Sequence, residues 1–157
     1  MFKLMKAVLF TLAALFVMSA CNGRKRPLGV EQEHEVAFEV ARNYFFKNGQ
    51  QIPDSPKVTS AEEFERLFGM ATLMGEGGQP TEIDFDRQFV LAVVLPVTDT
   101  ETEIVPLNVV AKGNTLYYFF QVNMGEQQSY SIQPVSIIIL DKKYEKMEVS
   151  LVNQQVM

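Results

Sequence analysis

Residues 34–48 read His34-Glu35-Val36-Ala37-Phe38-Glu39-Val40-Ala41-Arg42-Asn43-Tyr44-Phe45-Phe46-Lys47-Asn48, and the reading of this stretch decides the fold class. Val36, Ala37, Val40, Ala41, Tyr44 and Phe45 fall on one face at a 3.6-residue period, which predicts an amphipathic helix. Glu31, Glu33 and Glu35 at its start and Lys47 at its end suit the helix dipole. Asn48-Gly49 supplies a C-terminal stop. A loop with Pro53 and Pro56 leads to a second, shorter helix. There Ser60-Ala61-Glu62-Glu63 forms a capping box, in which Ser60 and Glu63 satisfy each other's backbone donors. Phe64, Leu67 and Phe68 make its buried stripe, and Gly69 ends it.

Residues 70–80 read Met-Ala-Thr-Leu-Met-Gly-Glu-Gly-Gly-Gln-Pro, whose glycines and proline oppose both helix and strand. The chain then turns to strands. Gln88 to Leu95 is a near-continuous apolar run, the pattern of a central strand buried on both faces. Val105, Leu107, Val109 and Ala111 alternate along a second strand, Thr102 to Ala111. Lys112-Gly113-Asn114 predicts a hairpin turn. Leu116, Tyr118, Phe120 and Val122 line one side of a third strand, and Met124 to Gln128, with Gly125, predicts another turn. A fourth strand, Ser129 to Leu140, changes phase at Pro134, from Tyr130 and Ile132 to Val135, Ile137 and Ile139, which suggests a bulge or an edge position. Asp141-Lys142-Lys143 turns the chain into a last strand with Met147, Val149 and Leu151. The expected fold is α+β, with two N-terminal helices packed on an antiparallel meander sheet of about five strands.

Composition narrows the class. The chain has 157 residues, 47% hydrophobic and 21% charged, the balance of a globular protein rather than a disordered one. Its net charge of −5 argues against a nucleic-acid binder, which needs a basic face to neutralise phosphates. A single Cys excludes a disulfide framework and a Cys-rich metal site.

That cysteine lies behind a leader. Lys3 and Lys6 precede an apolar run from Ala7 to Val17. The run is too short to span a bilayer, which takes about 20 residues, and suits the central segment of a secretory signal. Met18-Ser19-Ala20-Cys21 resembles the lipobox of bacterial lipoproteins, with Met where Leu is usual. The resemblance implies cleavage before Cys21, a diacylglyceryl thioether on its sulfur and acylation of the new amino terminus. A thiolate is the nucleophile such a transfer needs, and several acyl chains together make attachment stable. Asn22 to Val30, with Gly23, Pro27, Gly29 and the basic cluster Arg24-Lys25-Arg26, reads as a tether. From Glu31 onward stand all 19 acidic residues but only 9 basic ones (14 less Lys3, Lys6 and the cluster), a charge of −10. Such a surface stands off an anionic membrane. The expected organisation is a signal peptide over 1–20, a lipid anchor and tether over 21–30, and one α+β domain over 31–157. The expected location is the bacterial cell envelope, at the outer membrane through the lipid on Cys21.

No residue set points to catalysis. His34 is the only histidine and has no Cys to join it, so neither a zinc site nor a Ser-His-Asp triad is indicated. Asp84 and Asp86 point the same way if on a strand and flank a strand entry. Asp99, Glu101 and Glu103 alternate with threonines, without the loop glycine of an EF-hand. Gly75-Glu76-Gly77-Gly78 lacks the Lys-Ser/Thr ending of a phosphate loop. It reads instead as a contact loop with adaptable side chains at Met70, Leu73 and Met74. Tyr117, Tyr118, Phe119 and Phe120 put aromatics on both faces of one strand, so Tyr117 and Phe119 lie either under a helix or in an exposed patch. The candidate partner-contact residues are Met70, Met74, Gly77, Gly78 and Tyr117. No catalytic residue, metal ligand or cofactor is expected.

Lys57 to Lys142 resembles the C-terminal domain of the accessory, inhibitor-type subunits of protease complexes, and small lipoproteins that carry such a domain. The likeness rests on Phe68-Gly69 after a short helix, on Ile83-Asp84-Phe85-Asp86-Arg87-Gln88-Phe89-Val90-Leu91-Ala92-Val93, and on Gln133-Pro134-Val135 before a hydrophobic strand. Where that family often carries a Thr-Gly-Gly-Tyr turn, this chain reads Thr98-Asp99-Thr100-Glu101-Thr102-Glu103. The resemblance implies a noncatalytic protein-binding module. With the anchor, it leads to the expectation of a lipid-anchored envelope module that binds another envelope protein and no nucleic acid. Two other readings stand beside it: a binder of a small ligand such as glycan or lipid, and a hydrolase using Asp84/Asp86 or Glu101/Glu103.

Overall fold

The computed structural model describes residues 33–72, 74–75 and 77–154. Along them run β1 (Glu33–Glu35), β2 (Glu39–Ala41), β3 (Tyr44–Phe46), β4 (Lys57–Val58), α1 (Ala61–Leu67), β5 (Phe68–Met70), β6 (Gln88–Val94), β7 (Thr98–Lys112), β8 (Thr115–Ile132), β9 (Val135–Asp141), a 3₁₀ turn (Lys142–Tyr144) and β10 (Glu148–Asn153). They form three sheets. An outer sheet has the order β1-β7-β8-β10, an inner sheet the order β2-β9-β6-β4, and β3 pairs with β5 as a two-stranded ribbon.

This corrects the expected α+β plan of two N-terminal helices on a five-stranded meander. The first helix does not exist. In its place stand β1, β2 and β3, one in each sheet. The residues that bury are Val36 at 2%, Ala41 at 8% and Phe46 at 3% exposure, whereas Val40 and Phe45 remain 37% and 47% exposed. A spacing of five fits neither a helix nor one continuous strand. It arises because the chain changes layer twice. Val36 joins one core and donates its N–H to the Val109 carbonyl at 2.8 Å; Ala41 and Phe46 join another. Asn43 then takes the left-handed conformation, φ 63°, which no regular helix accommodates. β-Branched and aromatic residues favour such pleated edges, so the tertiary sheets outcompete a helix whose isolated stability is marginal.

The second helix is real but short. Ser60 caps it, its hydroxyl accepting from the Glu63 N–H at 3.3 Å, and Phe64 and Leu67 bury. It ends at Leu67, because Phe68 to Met70 extend as β5 and pair with β3, Phe46 opposite Phe68 and Tyr44 opposite Met70.

The inner sheet sits between two cores. In β6, as its apolar run requires, Phe89, Leu91 and Val93 face the outer sheet, while Val90 and Ala92 face α1 and the ribbon. In β9, Ile138 and Leu140 take the first side, Ile137 and Ile139 the second. β6 and β9 continue into β7 and β8, and the resulting long hairpin folds over so that its outer half packs on its inner half. Its tip, after Lys112, is the expected turn, with Gly113 at φ 58°.

Irregularities in the outer half shift the phases read from the sequence. An extra residue at Leu107, between the pairs Pro106–Phe120 and Asn108–Phe119, makes a bulge. Ile104, Val109 and Ala111 therefore bury, and Leu107 stays 40% exposed. The expected turn at Met124 to Gln128 is absent: β8 runs through it, taking up extra residues between Met124, Gln127 and Ile132. At Gly125 the Glu101 side chain lies across the backbone. A Cβ on it would lie 2.6 Å from Glu101 Oε2. Pro134 does interrupt the chain, and β9 starts just after it. The final strand leaves the meander pattern altogether, since β10 pairs parallel to β8, from Glu148 opposite Thr115 to Asn153 opposite Phe120. Two lysines hold the crossover that makes this possible. Lys57 Nζ donates to the Glu145 and Met147 carbonyls at 2.6 and 2.5 Å, and Lys142 Nζ to the Phe85 carbonyl at 2.5 Å.

Tyr118 occupies the centre of the core between the sheets and is fully buried. Its hydroxyl has no hydrogen-bond partner. Burial pushes its pKa up to about 12, and the buried Ser136 hydroxyl, near but not in bonding geometry, offsets only part of that.

Candidate binding groove

The second core has an open side. Where α1, the β3–β5 ribbon and the segment leading to β6 meet, three rings stand in series. Tyr44 meets Phe64 edge-on at 5.0 Å between centroids, and Phe64 meets Phe85 at 5.6 Å, tilted by 50°. They wall a groove of about 550 Å³, closed by Met70, Ile83 and Pro80 and rimmed by Gln79, Glu65 and Glu82. That volume lies in the range of ordinary binding sites, and its wall has their usual makeup, apolar with a few polar groups.

The sequence folds this way because one turn pins both ends of the 70–80 loop. The left-handed backbone at Asn43 frees its side chain to donate to the Gly77 and Gln79 carbonyls, each at 2.8 Å. The Ala71 N–H donates to the Asn43 carbonyl at 2.8 Å, and the Arg42 N–H to Thr81 Oγ1 at 3.0 Å. Tyr44 Oη donates to the Thr81 carbonyl at 2.7 Å. Gly75 and Gly77, at φ 112° and 76°, supply the left-handed positions the loop needs. Burial, and secondarily the Glu82 carboxylate, push the Tyr44 hydroxyl above its ordinary pKa. The groove thus presents a neutral phenol and two carboxylates. Among the described residues, neither Glu65 nor Glu82 makes an ion pair.

The structure separates the partner-contact residues expected from sequence. Met70 lines the groove and is 66% exposed; Met74 stands in the loop beyond it, fully exposed. Gly77 offers its carbonyl to Asn43, while Gly78 is buried and its N–H donates to the Gly75 carbonyl at 3.2 Å. Tyr117 lies elsewhere, opposite Val110 and Ser150 on the face of the outer sheet turned away from the core, with both sheets between it and the groove. It is half-buried there without a helix above it among the described residues. Cys21 lies outside the described residues.

The acidic pairs are placed as follows. Asp84 accepts from Arg87 Nε at 2.6 Å and from the Asp86 N–H at 3.0 Å in a turn before β6. The Arg87 guanidinium, and next the Asp86 N–H, hold its carboxyl below the usual carboxylate range. A carboxyl held ionised in this way is a poor proton donor. Asp99, Glu101 and Glu103 are exposed on β7; Asp99 Oδ2 accepts from Gln127 Nε2 at 3.0 Å, and Glu101 lies across Gly125. No group of three or more His, Cys, Asp or Glu able to hold a metal occurs among the described residues. His34 Nε2 lies 3.3 Å from Tyr144 Oη at the surface.

Sequence reasoning missed Tyr44, Phe85 and Glu82 as groove residues. Tyr44 read as a helix face, and the others as the approach to a strand. No periodicity links positions 44, 64 and 85, so only a signal for the β3–β5 pairing, such as Phe45 opposite Gly69, would have brought them together. No family model, curated protein or solved structure matches the chain.

Proposed function

We propose that this chain is a noncatalytic protein-binding module of the bacterial cell envelope, moored by lipid on Cys21, and that it engages its partner through the groove walled by Tyr44, Phe64 and Phe85. The observation that carries this reading is an open aromatic wall beside a methionine two-thirds exposed, where the second core reaches the surface unclosed. Aromatic and methionine side chains dominate the centres of protein interfaces. A small apolar ligand fits the same volume, but the lip formed by Met70 and the rim glutamates suit a partner's chain that continues past the groove.

The test is capture from detergent-solubilised envelopes. A partner is retained by the wild type, lost with Met70→Asp, and kept with Tyr117→Ala, whose site faces the other way. Loss with Tyr117→Ala and retention with Met70→Asp moves the binding surface to the outer sheet and contradicts the proposal.

A further inference from the structure

We infer that the groove receives an arginine side chain presented by an extended segment of a partner protein, with its guanidinium between the aromatic wall and the Glu82 and Glu65 carboxylates. This rests on the binding-module reading and specifies the partner's chemistry.

Charge complementarity decides the occupant. The groove's charged groups are two glutamates, both without an ion pair among the described residues. Two ammonium groups border the groove, and both donate to backbone carbonyls, Lys47 to that of Glu65 and Lys142 to that of Phe85; neither pairs with Glu65 or Glu82. Glu82 and Tyr44 line the same groove, so carboxylate and ring face one guest. The Thr81 and Gln79 backbone carbonyls already accept from Tyr44 and Asn43, and the acceptors that carry charge at the groove are the two glutamates. A guest that brings donors on an apolar stem complements these carboxylates and the aromatic wall. Arginine meets both needs. Its stem lies along Phe64 and Ile83, its planar head stacks on a ring, and its fork donates to a carboxylate. Arginine outranks lysine here, because an ammonium is more strongly hydrated and does not stack. A field of −10 over the domain steers such a segment toward the surface, but the field alone does not choose a position on it.

The experiment uses the full chain in nonionic micelles and a fluorescein-labelled peptide, acetyl-Ala-Leu-Arg-Leu-Ala-amide, followed by anisotropy against empty micelles. The comparison peptide carries citrulline, which keeps the shape of arginine and removes the charge. The arginine peptide binds at least tenfold more tightly than the citrulline peptide. Glu82→Gln removes most of that difference and leaves citrulline binding unchanged. Glu101→Gln, an equal loss of charge on β7 away from the groove, leaves both unchanged. Equal binding of the two peptides, or binding of neither, overturns the inference. So does an equal effect of Glu101→Gln, which assigns the preference to the overall field. Argininamide binding as tightly as the peptide also overturns it, by making the occupant a small cation. Each of these failures leaves Met70-dependent capture from envelopes intact, whereas loss of that capture removes the binding-module reading itself.

Discussion

Replacing Asn43 by alanine and by glycine separates the two things this residue does. Its side chain makes two hydrogen bonds to the loop, to the Gly77 and Gln79 carbonyls, and its backbone sits at φ 63°. Both bonds are solvent-exposed, so each is worth about 0.5–1 kcal/mol net. Alanine loses both and also pays about 1–2 kcal/mol for the left-handed backbone, so Asn43→Ala costs about 2–4 kcal/mol. Glycine loses the same bonds but adopts that backbone freely; its extra unfolded-state entropy adds about 0.5–1 kcal/mol. Asn43→Gly therefore costs about 1.5–3 kcal/mol and is the milder change. Urea unfolding at neutral pH reads the order from the midpoints, provided the slopes agree. Limited proteolysis reads the local consequence, because cutting between residues 71 and 81 tracks the population of the opened loop. The alanine variant is cut there faster than wild type, by about tenfold for each 1.4 kcal/mol of its cost that falls on loop opening. Asn43→Gly proving less stable than Asn43→Ala refutes the reasoning, since that order is the one expected of an ordinary extended or helical backbone.

Other expectations follow from the core and the anchor. Tyr118→Phe removes a buried hydroxyl that has no partner and raises stability by about 1 kcal/mol in urea unfolding. Its advantage widens in alkali. Below pH 10 the phenol is neutral in both states; between pH 10 and about 12 the unfolded chain gives up a proton that the folded chain keeps. Wild-type stability thus falls through that window relative to Tyr118→Phe, by about 3 kcal/mol in all, and parallel pH profiles of the two proteins contradict the burial argument. Lys57→Met strips the Glu145 and Met147 carbonyls of their donor and lowers stability by about 2 kcal/mol, visible as a lower urea midpoint. Cys21→Ser releases the domain from membranes or leaves the leader uncut, read by fractionation and mass; fatty-acid labelling that persists in this variant contradicts the anchor.

The parts of the fold legible in the sequence are those in which one local rule met no competition. The run from Phe89 to Val93 buries on both faces as its unbroken hydrophobicity demands. Ser60 caps a helix, and Gly113 turns a hairpin. The illegible parts are those where tertiary pairing set the pattern. Val36 buries just after β1, Ala41 at the end of β2 and Phe46 at the end of β3, and their chance neighbours mimic a helical stripe. Gly125 looks like a turn residue, but its lack of a side chain makes room for Glu101 within a continuing strand. Leu107 reads as inward until a bulge beside Pro106 turns it out. The groove was legible only through Met70 and its loop. Its aromatic wall combines residues from three distant segments, and neither Tyr44 nor Phe85 announces the other.

The central claim is that the partner sits on the aromatic groove and not on the outer sheet. A photo-reactive amino acid placed at Met70 or, in a second strain, at Tyr117 tests it in intact cells with the chain in its native setting. Irradiation is predicted to trap a discrete protein adduct from position 70 and none from position 117. An adduct from 117 with none from 70, or no adduct from either, contradicts the account.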